Sequence, residues 1–238
     1  MRALLCGFWY NNCMNEKEKM LKGQIYDPAN EELAKLRAKA HKLCLKYNNT
    51  VEEETEQRQE ILREMGIKLG SNIYLQGPIY FDYGCFIEIG DNSYANFNLT
   101  ILDTCPVKIG KNVFIGTGVS IVTPLHPLRY QERNIFLSDK GYYTDNEYGK
   151  PITIEDNCWI ASNVTICGGV TIGEGSVIGA GSVVVKSIPK NSFAAGNPCH
   201  VIREITEKDS VFKKQNQEAD KWVLQSAKCL KKVDLFLF

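Results

Sequence analysis

The chain has 238 residues, 44% of them hydrophobic, and its 28 basic and 28 acidic residues cancel to a formal net charge of zero. That length and composition suit one large globular domain or one domain with appendages. Neutrality excludes an overall electrostatic footprint for nucleic acid or an anionic membrane surface, and no apolar run approaches the roughly 20 residues that span a bilayer, so any anionic ligand must be held by local cations.

The start, "MRALLCGFWYNNC", has one Arg and a short apolar run with no small-residue cleavage site, so 1–15 read as an extension rather than a secretory leader. Residues 16–66 have helical character and are expected to form a cap. In "EELAKLRAKAHKLCLKYNN", Leu33, Leu36, Ala40, Leu43, Cys44 and Tyr47 recur at spacings of three and four, one apolar stripe that must pack on something. A second helix is expected from Thr50, where "TVEE" offers a capping box, to just before Gly66.

From Ile67 the helical spacing ends and a six-residue period takes over. Counting in sixes from Ile154 reaches Ile160, Ile166, Ile172, Ile178 and Val184, and counting from Ile109 reaches Ile115 and Ile121. Three residues after these aliphatics stand Asn112, Gly118, Asn157, Asn163, Gly169, Gly175 and Gly181, residue types that reach positive φ at low steric cost. Short strand, bend, short strand, repeated, rolls the chain into a parallel β-helix, with the aliphatic ladder inside and successive coils about 4.8 Å apart. A Gly-rich sandwich would instead alternate with period two and break every 8 to 12 residues or so. Spacing does not give the hand of the coil, for which the general crossover rule favours right-handed connections.

The ladder stops after Ile121 and resumes at Ile154, and the interruption, "TPLHPLRYQERNIFLSDKGYYTDNEYGKP", is expected to protrude over 123–150. His126 stands there between Pro124 and Pro127, whose fixed φ stiffens the backbone presenting the imidazole. It is a candidate base, and it equally suits a hydrogen-bonding role in a turn. Of the three histidines His41 falls in the predicted helix, which leaves the solenoid half short of the three imidazoles of a zinc hydratase, so no metal is expected. GxGxxG, GxxxxGK[ST] and GxSxG are all absent, which points to direct attack by a substrate hydroxyl rather than to a protein nucleophile. The nine cysteines are odd in number, scattered and without a CxxC pair, as expected of reduced, mostly buried side chains in a cytoplasmic protein.

In chain order "EKEKMLKGQIYD", "FDYG", "IGDNSYANFNLTILD", "HPL", "GKPITIEDNCWI", "GAGSVV" and "AAGNPCHVIREI" resemble the maltose and galactoside O-acetyltransferases, from about Glu16 to Asp209. The resemblance implies a mainly β protein, a left-handed parallel β-helix over 67–205 with the helical cap at 16–66 and a tail at 206–238, assembled as a homotrimer. Acetyl-CoA would lie between subunits and give its acetyl group to a sugar hydroxyl. His126 becomes the general base, a role worth about 10² to 10⁴ in rate. Ser162 offers a backbone oxyanion donor, Ala180 lines the pantetheine path, and Lys186 and Arg203 meet CoA phosphates.

On the acceptor side Asp82, Tyr94 and Asn96 correspond to sugar contacts, Asp27 reaches in from the cap, and Trp159 walls the site. Four departures stand out. Thr104 replaces an acid of the galactoside enzymes. Val185 and His200 replace a hydroxyl and a guanidinium that bind the cofactor. The loop after His126 is about nine residues longer than in the family, with "IFLSDKGYY" as the insert. The tail, with Trp222, Val223, Ala227 and Leu230 at helical spacing, has no counterpart. Alternatives left open are a hexapeptide acyltransferase for another hydroxyl or an amine, and a non-catalytic solenoid binding module.

Overall fold

The structure, a computed structural model, describes residues 14–213 and 215. The chain divides into two compact units between Arg203 and Glu204. Three helices open the first unit: α1 (Glu16–Leu21), α2 (Glu31–Asn48) and α3 (Thr55–Met65). Asn15 and Glu18 form a reciprocal capping box on α1, and the Asn30 side chain caps α2 at the Glu32 amide. The expected box at Thr50 is not formed. The Thr50 hydroxyl donates to the Tyr47 carbonyl at the end of α2 and accepts from Arg58 Nε, so α3 starts five residues later, after Glu54, and ends at Gly66 with φ 93°.

The remainder of this unit is a parallel β-solenoid with three faces. The first face stacks Lys68–Leu69, Ile87–Ile89, Val107–Ile109, Ile152–Ile154 and Thr171–Ile172. The second stacks Tyr74–Leu75, Tyr94–Ala95, Phe114–Ile115, Trp159–Ile160, Val177–Ile178 and Ser192–Ala195, then His200–Glu204. The third holds Ile79–Phe81, Leu99–Leu102, Ser120–Val122, Thr165–Cys167 and Val183–Val184.

Cross-coil register aligns the ladder into inward columns: Ile89, Ile109, Ile154 and Ile172; Ala95, Ile115, Ile160 and Ile178; Ile101, Ile121, Ile166 and Val184, all buried. The predicted corners at Asn112, Gly118, Asn157, Asn163, Gly169, Gly175 and Gly181 all have positive φ. At Gly118 a Cβ would meet Asn163 Oδ1 of the next coil at 2.4 Å, a contact the exposed Asn163 side chain can yield, so it is the positive φ that favours glycine there. The solenoid begins earlier than the six-residue count revealed. Leu69 pairs with Ile89 and Ile89 with Ile109, so these coils carry two residues more than three hexapeptides, which throws the count off register. Asp103 organises the extra residues: it is fully buried, and its carboxylate accepts from Tyr83 N at 2.8 Å and Phe86 N at 3.3 Å.

The helices close the open end of the solenoid. Ala40, Leu43, Cys44 and Tyr47 of α2 and Ile61, Leu62 and Met65 of α3 join the same core as the ladder, while Leu33 packs with Met20, Tyr26 and Tyr83 in a smaller cluster to which Leu36 is added. The first strands would otherwise present unpaired backbone groups. Tyr47 OH donates to Leu75 O at 2.6 Å, Asn48 bonds both the amide and the carbonyl of Ile79, and Gln59 donates to Ile73 O.

In the second unit Thr206 and Asp209 cap the turn Glu207–Asp209. The predicted stripe at Trp222, Val223, Ala227 and Leu230, and nearly all of the extension, lie outside the described residues. Cys44, Cys85, Cys105, Cys158, Cys167 and Cys199 are free thiols. Among the described residues no helix is long and apolar enough to cross a membrane, and no cluster of side chains has the make-up of a metal site.

Candidate active site

The interruption leaves the third face after Ser120–Val122 and returns to the first at Ile152–Ile154. Its base is pinned where Pro124–Leu125 pairs antiparallel with Tyr148–Gly149. Between these lie the short helix α4 (Tyr130–Arg133) and a hairpin of Phe136–Leu137 against Tyr143–Thr144, which starts within the expected insert and ends one residue beyond it. His126 follows the pinned strand with its side chain 48% exposed and Nδ1 3.4 Å from Asp145 Oδ2. A carboxylate on Nδ1 favours the tautomer that leaves Nε2 free to take a proton.

Glu147 stands two residues after Asp145, and its carboxyl lies within electrostatic reach of both Asp145 and His126. Glu147 is bonded by Tyr26 OH, while Thr104 Oγ1 lies 3.4 Å from its Oε1. Burial pushes the Glu147 carboxyl up, against the pull of Tyr26 and His126. Burial raises the Tyr26 phenol as well, with the neighbouring carboxylate adding to the effect. Thr104 thus sits beside an acid supplied by the loop.

Asp27 also meets the loop. Its carboxylate accepts from the Tyr142 and Thr144 hydroxyls and from Ala29 N. Burial alone would raise its pKa, but those donors prevail and hold it below the usual carboxylate range. Asp82, on the same edge of the solenoid, lines a cleft of about 350 Å³ with His41, Leu45, Tyr80 and Leu102. His41 Nε2 lies 3.7 Å from Asp82 Oδ1, and Arg37 binds Tyr83 OH at 2.7 Å. Burial raises the Asp82 carboxyl against the pull of His41 and Arg37.

The edge between the third and first faces therefore gathers Asp82, Thr104, His126, Val185 and Lys186, with Asp27 brought in by the cap. Asn96, Ser162 and Ala180 lie instead on the edge between the second and third faces, each just after a strand of the second. Tyr94 and Trp159 project outward from the second face. Tyr94 stacks on Tyr74 with centroids 6.0 Å apart, and Trp159 is 53% exposed in register with Phe114. His200 and Arg203 are exposed on the strand that follows Ser192–Ala195 in that sheet, the Arg203 guanidinium 5.5 Å from the Phe193 ring centre.

One chain thus separates two groups of predicted residues by the width of a face, roughly four residues or about 13 Å. Sequence reasoning passed over Tyr26, Arg37, His41, Tyr142, Thr144, Asp145 and Glu147. Only the alternation of acids in "DNE" after the insert could have drawn attention to the last two.

Comparison with known proteins agrees with this architecture. The model described as maltose acetyltransferase hexapeptide capping motif matches residues 19–65, the bacterial transferase hexapeptide model matches 151–186, and the hexapeptide repeat of succinyl-transferase matches 106–125. The galactoside O-acetyltransferase of Escherichia coli K12 is 42% identical over 82% of this chain and 92% of its own length. The crystal structure of a maltose O-acetyltransferase from Clostridium difficile is 45% identical, with a TM-score of 0.74 over 82% of this chain and 100% of that one. A hexapeptide-repeat acetyltransferase of Vibrio cholerae, solved with acetyl coenzyme A, is 37% identical with a TM-score of 0.70, over 82% of this chain and 100% of its own. The chain belongs to the hexapeptide-repeat acetyltransferases of the maltose and galactoside O-acetyltransferase kind.

Proposed function

We propose that this protein transfers the acetyl group of acetyl-CoA to a sugar hydroxyl, with His126 as general base. The observation that carries the reading is the break in the solenoid wall, which presents His126 with a carboxylate on Nδ1 in a chain of this family. His126 Nε2 takes the proton of the acceptor hydroxyl as its oxygen attacks the thioester carbonyl. The C–S bond then breaks, and the departing CoA sulfur recovers the proton from the imidazolium. No acyl-enzyme forms. The Ser162 amide steadies the oxyanion, Ala180 and Val185 flank the pantetheine, and Lys186, Arg203 and His200 meet the phosphates. Asp82, Tyr94, Asn96 and Trp159 hold the sugar, with Glu147 taking the place of the acid that Thr104 lacks.

Because the two groups of residues lie on different edges, a site that uses both is assembled between neighbouring copies, which supports a homotrimer. The outward row of half-buried Tyr94 with exposed Phe114 and Trp159 gives such an assembly apolar surface to bury. The free thiols fit a reducing, cytoplasmic setting.

Purified protein given acetyl-CoA and a panel of maltose, glucose and galactosides is expected to release free thiol only with an acceptor, and His126→Ala to lower turnover at least about 10²-fold. Undiminished turnover in that variant would remove the base assignment. Thiol release with amines but with none of the sugars would replace the acceptor class.

A further inference from the structure

Asp27 is the one predicted acceptor contact whose carboxylate oxygens are both engaged by the chain's own hydroxyls. Oδ2 accepts from Tyr142 OH, and Oδ1 accepts from Thr144 Oγ1 and from Ala29 N at 3.0 Å. The Asp27 backbone is itself tethered, its amide donating to Glu16 Oε2 at 2.8 Å. One residue earlier, Tyr26 and Glu147 exchange backbone hydrogen bonds at 2.9 and 3.4 Å. The cap therefore grips the stretch 142–147 at both ends, and between the grips stands Asp145, whose carboxylate faces His126. Tyr142 lies in the insert, so part of this grip is peculiar to the longer loop.

We propose that Asp27 is a positioning residue rather than a sugar ligand: it latches the loop through Tyr142 and Thr144 and so fixes Asp145 against His126. The physical case rests on geometry. A hairpin of two residue pairs is marginal alone, and Leu137 and Tyr143 of that hairpin are largely exposed, so its own packing does little to locate the segment. Hydrogen bonds to a charged carboxylate are about twice as strong as neutral ones and directional. Thr144 is also buried, and apart from Asp27 the acceptor its hydroxyl reaches is the Asp145 carbonyl at 3.4 Å, a longer bond to a neutral oxygen.

The proposal rests on His126 as base, and the test separates the two. Tyr142→Phe removes one donor while freeing an Asp27 oxygen, Thr144→Val removes the other, and Asp27→Ala removes the acceptor. Asp27→Asn is the conservative variant, because either hydroxyl can turn to accept from the new amide. All are compared with Tyr143→Phe as control and His126→Ala in parallel, using the panel sugar of highest turnover.

Tyr142→Phe, Thr144→Val and Asp27→Ala are expected to lower kcat between about fivefold and the roughly 10²-fold that a 1 Å misplacement costs, with the acceptor KM within about twofold. Asp27→Asn should recover much of the loss. The Asp27→Ala, Tyr142→Phe double variant should be no worse than Asp27→Ala alone, because both changes open one latch. Amide exchange across 142–147 should quicken in the latch variants whether or not a productive acceptor has been found. An acceptor KM raised tenfold or more at unchanged kcat in Asp27→Ala would make Asp27 a direct ligand. Unchanged kcat and unchanged exchange in Tyr142→Phe would overturn the latch. Loss of function in His126→Ala is independent of either outcome, and its absence would fault the base alone.

Discussion

Asp103 shows how one side chain holds an irregularity inside a regular fold. Its carboxylate occupies the third corner of a coil, bound by amides of the preceding coil and sealed from water. Burial pushes it up to about 6, against the pull of the Tyr83, Gly84 and Phe86 amides. That value lies above the ordinary aspartate value, so between about pH 4 and 6 the native chain keeps a proton that the unfolded chain has released. Stability therefore falls through that window, by about 2 to 3 kcal/mol from this group, and this contribution is level at higher pH. Asp103→Asn has no such proton. In urea titrations the advantage of wild type over this variant is expected to be larger at pH 4 than at pH 7, and parallel stabilities at the two pH values would contradict the assignment. Nothing in the residue pattern pointed to Asp103, because an aspartate in a loop ordinarily reads as a turn former. His126 was legible for the opposite reason: two prolines and a broken repeat isolate it.

The period of six made the solenoid readable, since each inward aliphatic and each bend repeats the same steric requirement. Asparagines strengthen the bends beyond what spacing foretold. Asn72 donates to Asn92 and Asn112 to Asn157 along one edge, so the residue that tolerates positive φ also hydrogen-bonds its neighbour above. Asn112→Ala is expected to cost about 1 to 2 kcal/mol in thermal or urea unfolding, combining left-handed strain with the lost bond, and Asn112→Gly less. An Ala variant as stable as wild type would count against this. The α3 start was misread because Thr50 had a competing use at the end of α2, a tertiary preference that local capping rules do not contain. Likewise the Asn48 bonds to Ile79 depend on which strand the cap happens to cover. The first coils escaped the count because their two extra residues shift the phase.

For the molecule as a whole, the separation of His126 from Asn96 and Ser162 by one face has a measurable corollary. If neighbouring copies complete each other's sites, His126→Ala and Asn96→Ala are each inactive, yet subunits co-assembled at random restore about a quarter of the sites, those pairing an intact His126 with an intact Asn96 in a closed ring. A mixture no more active than its components would mean that each copy works alone. The resemblance made all these residues nameable from sequence. Their division between edges was not, because a motif gives identity without address.

The break in the wall has one more bearing. Val107, Lys108 and Ile109 pair residue for residue with Ile152, Thr153 and Ile154, as though nothing intervened. The long excursion is hung on the outside of a closed stack, and its length is invisible to the beams it hangs from. Such a chain is free to lengthen, shorten or rewrite its awning over evolutionary time, trying new clients at the doorway while the house keeps its shape.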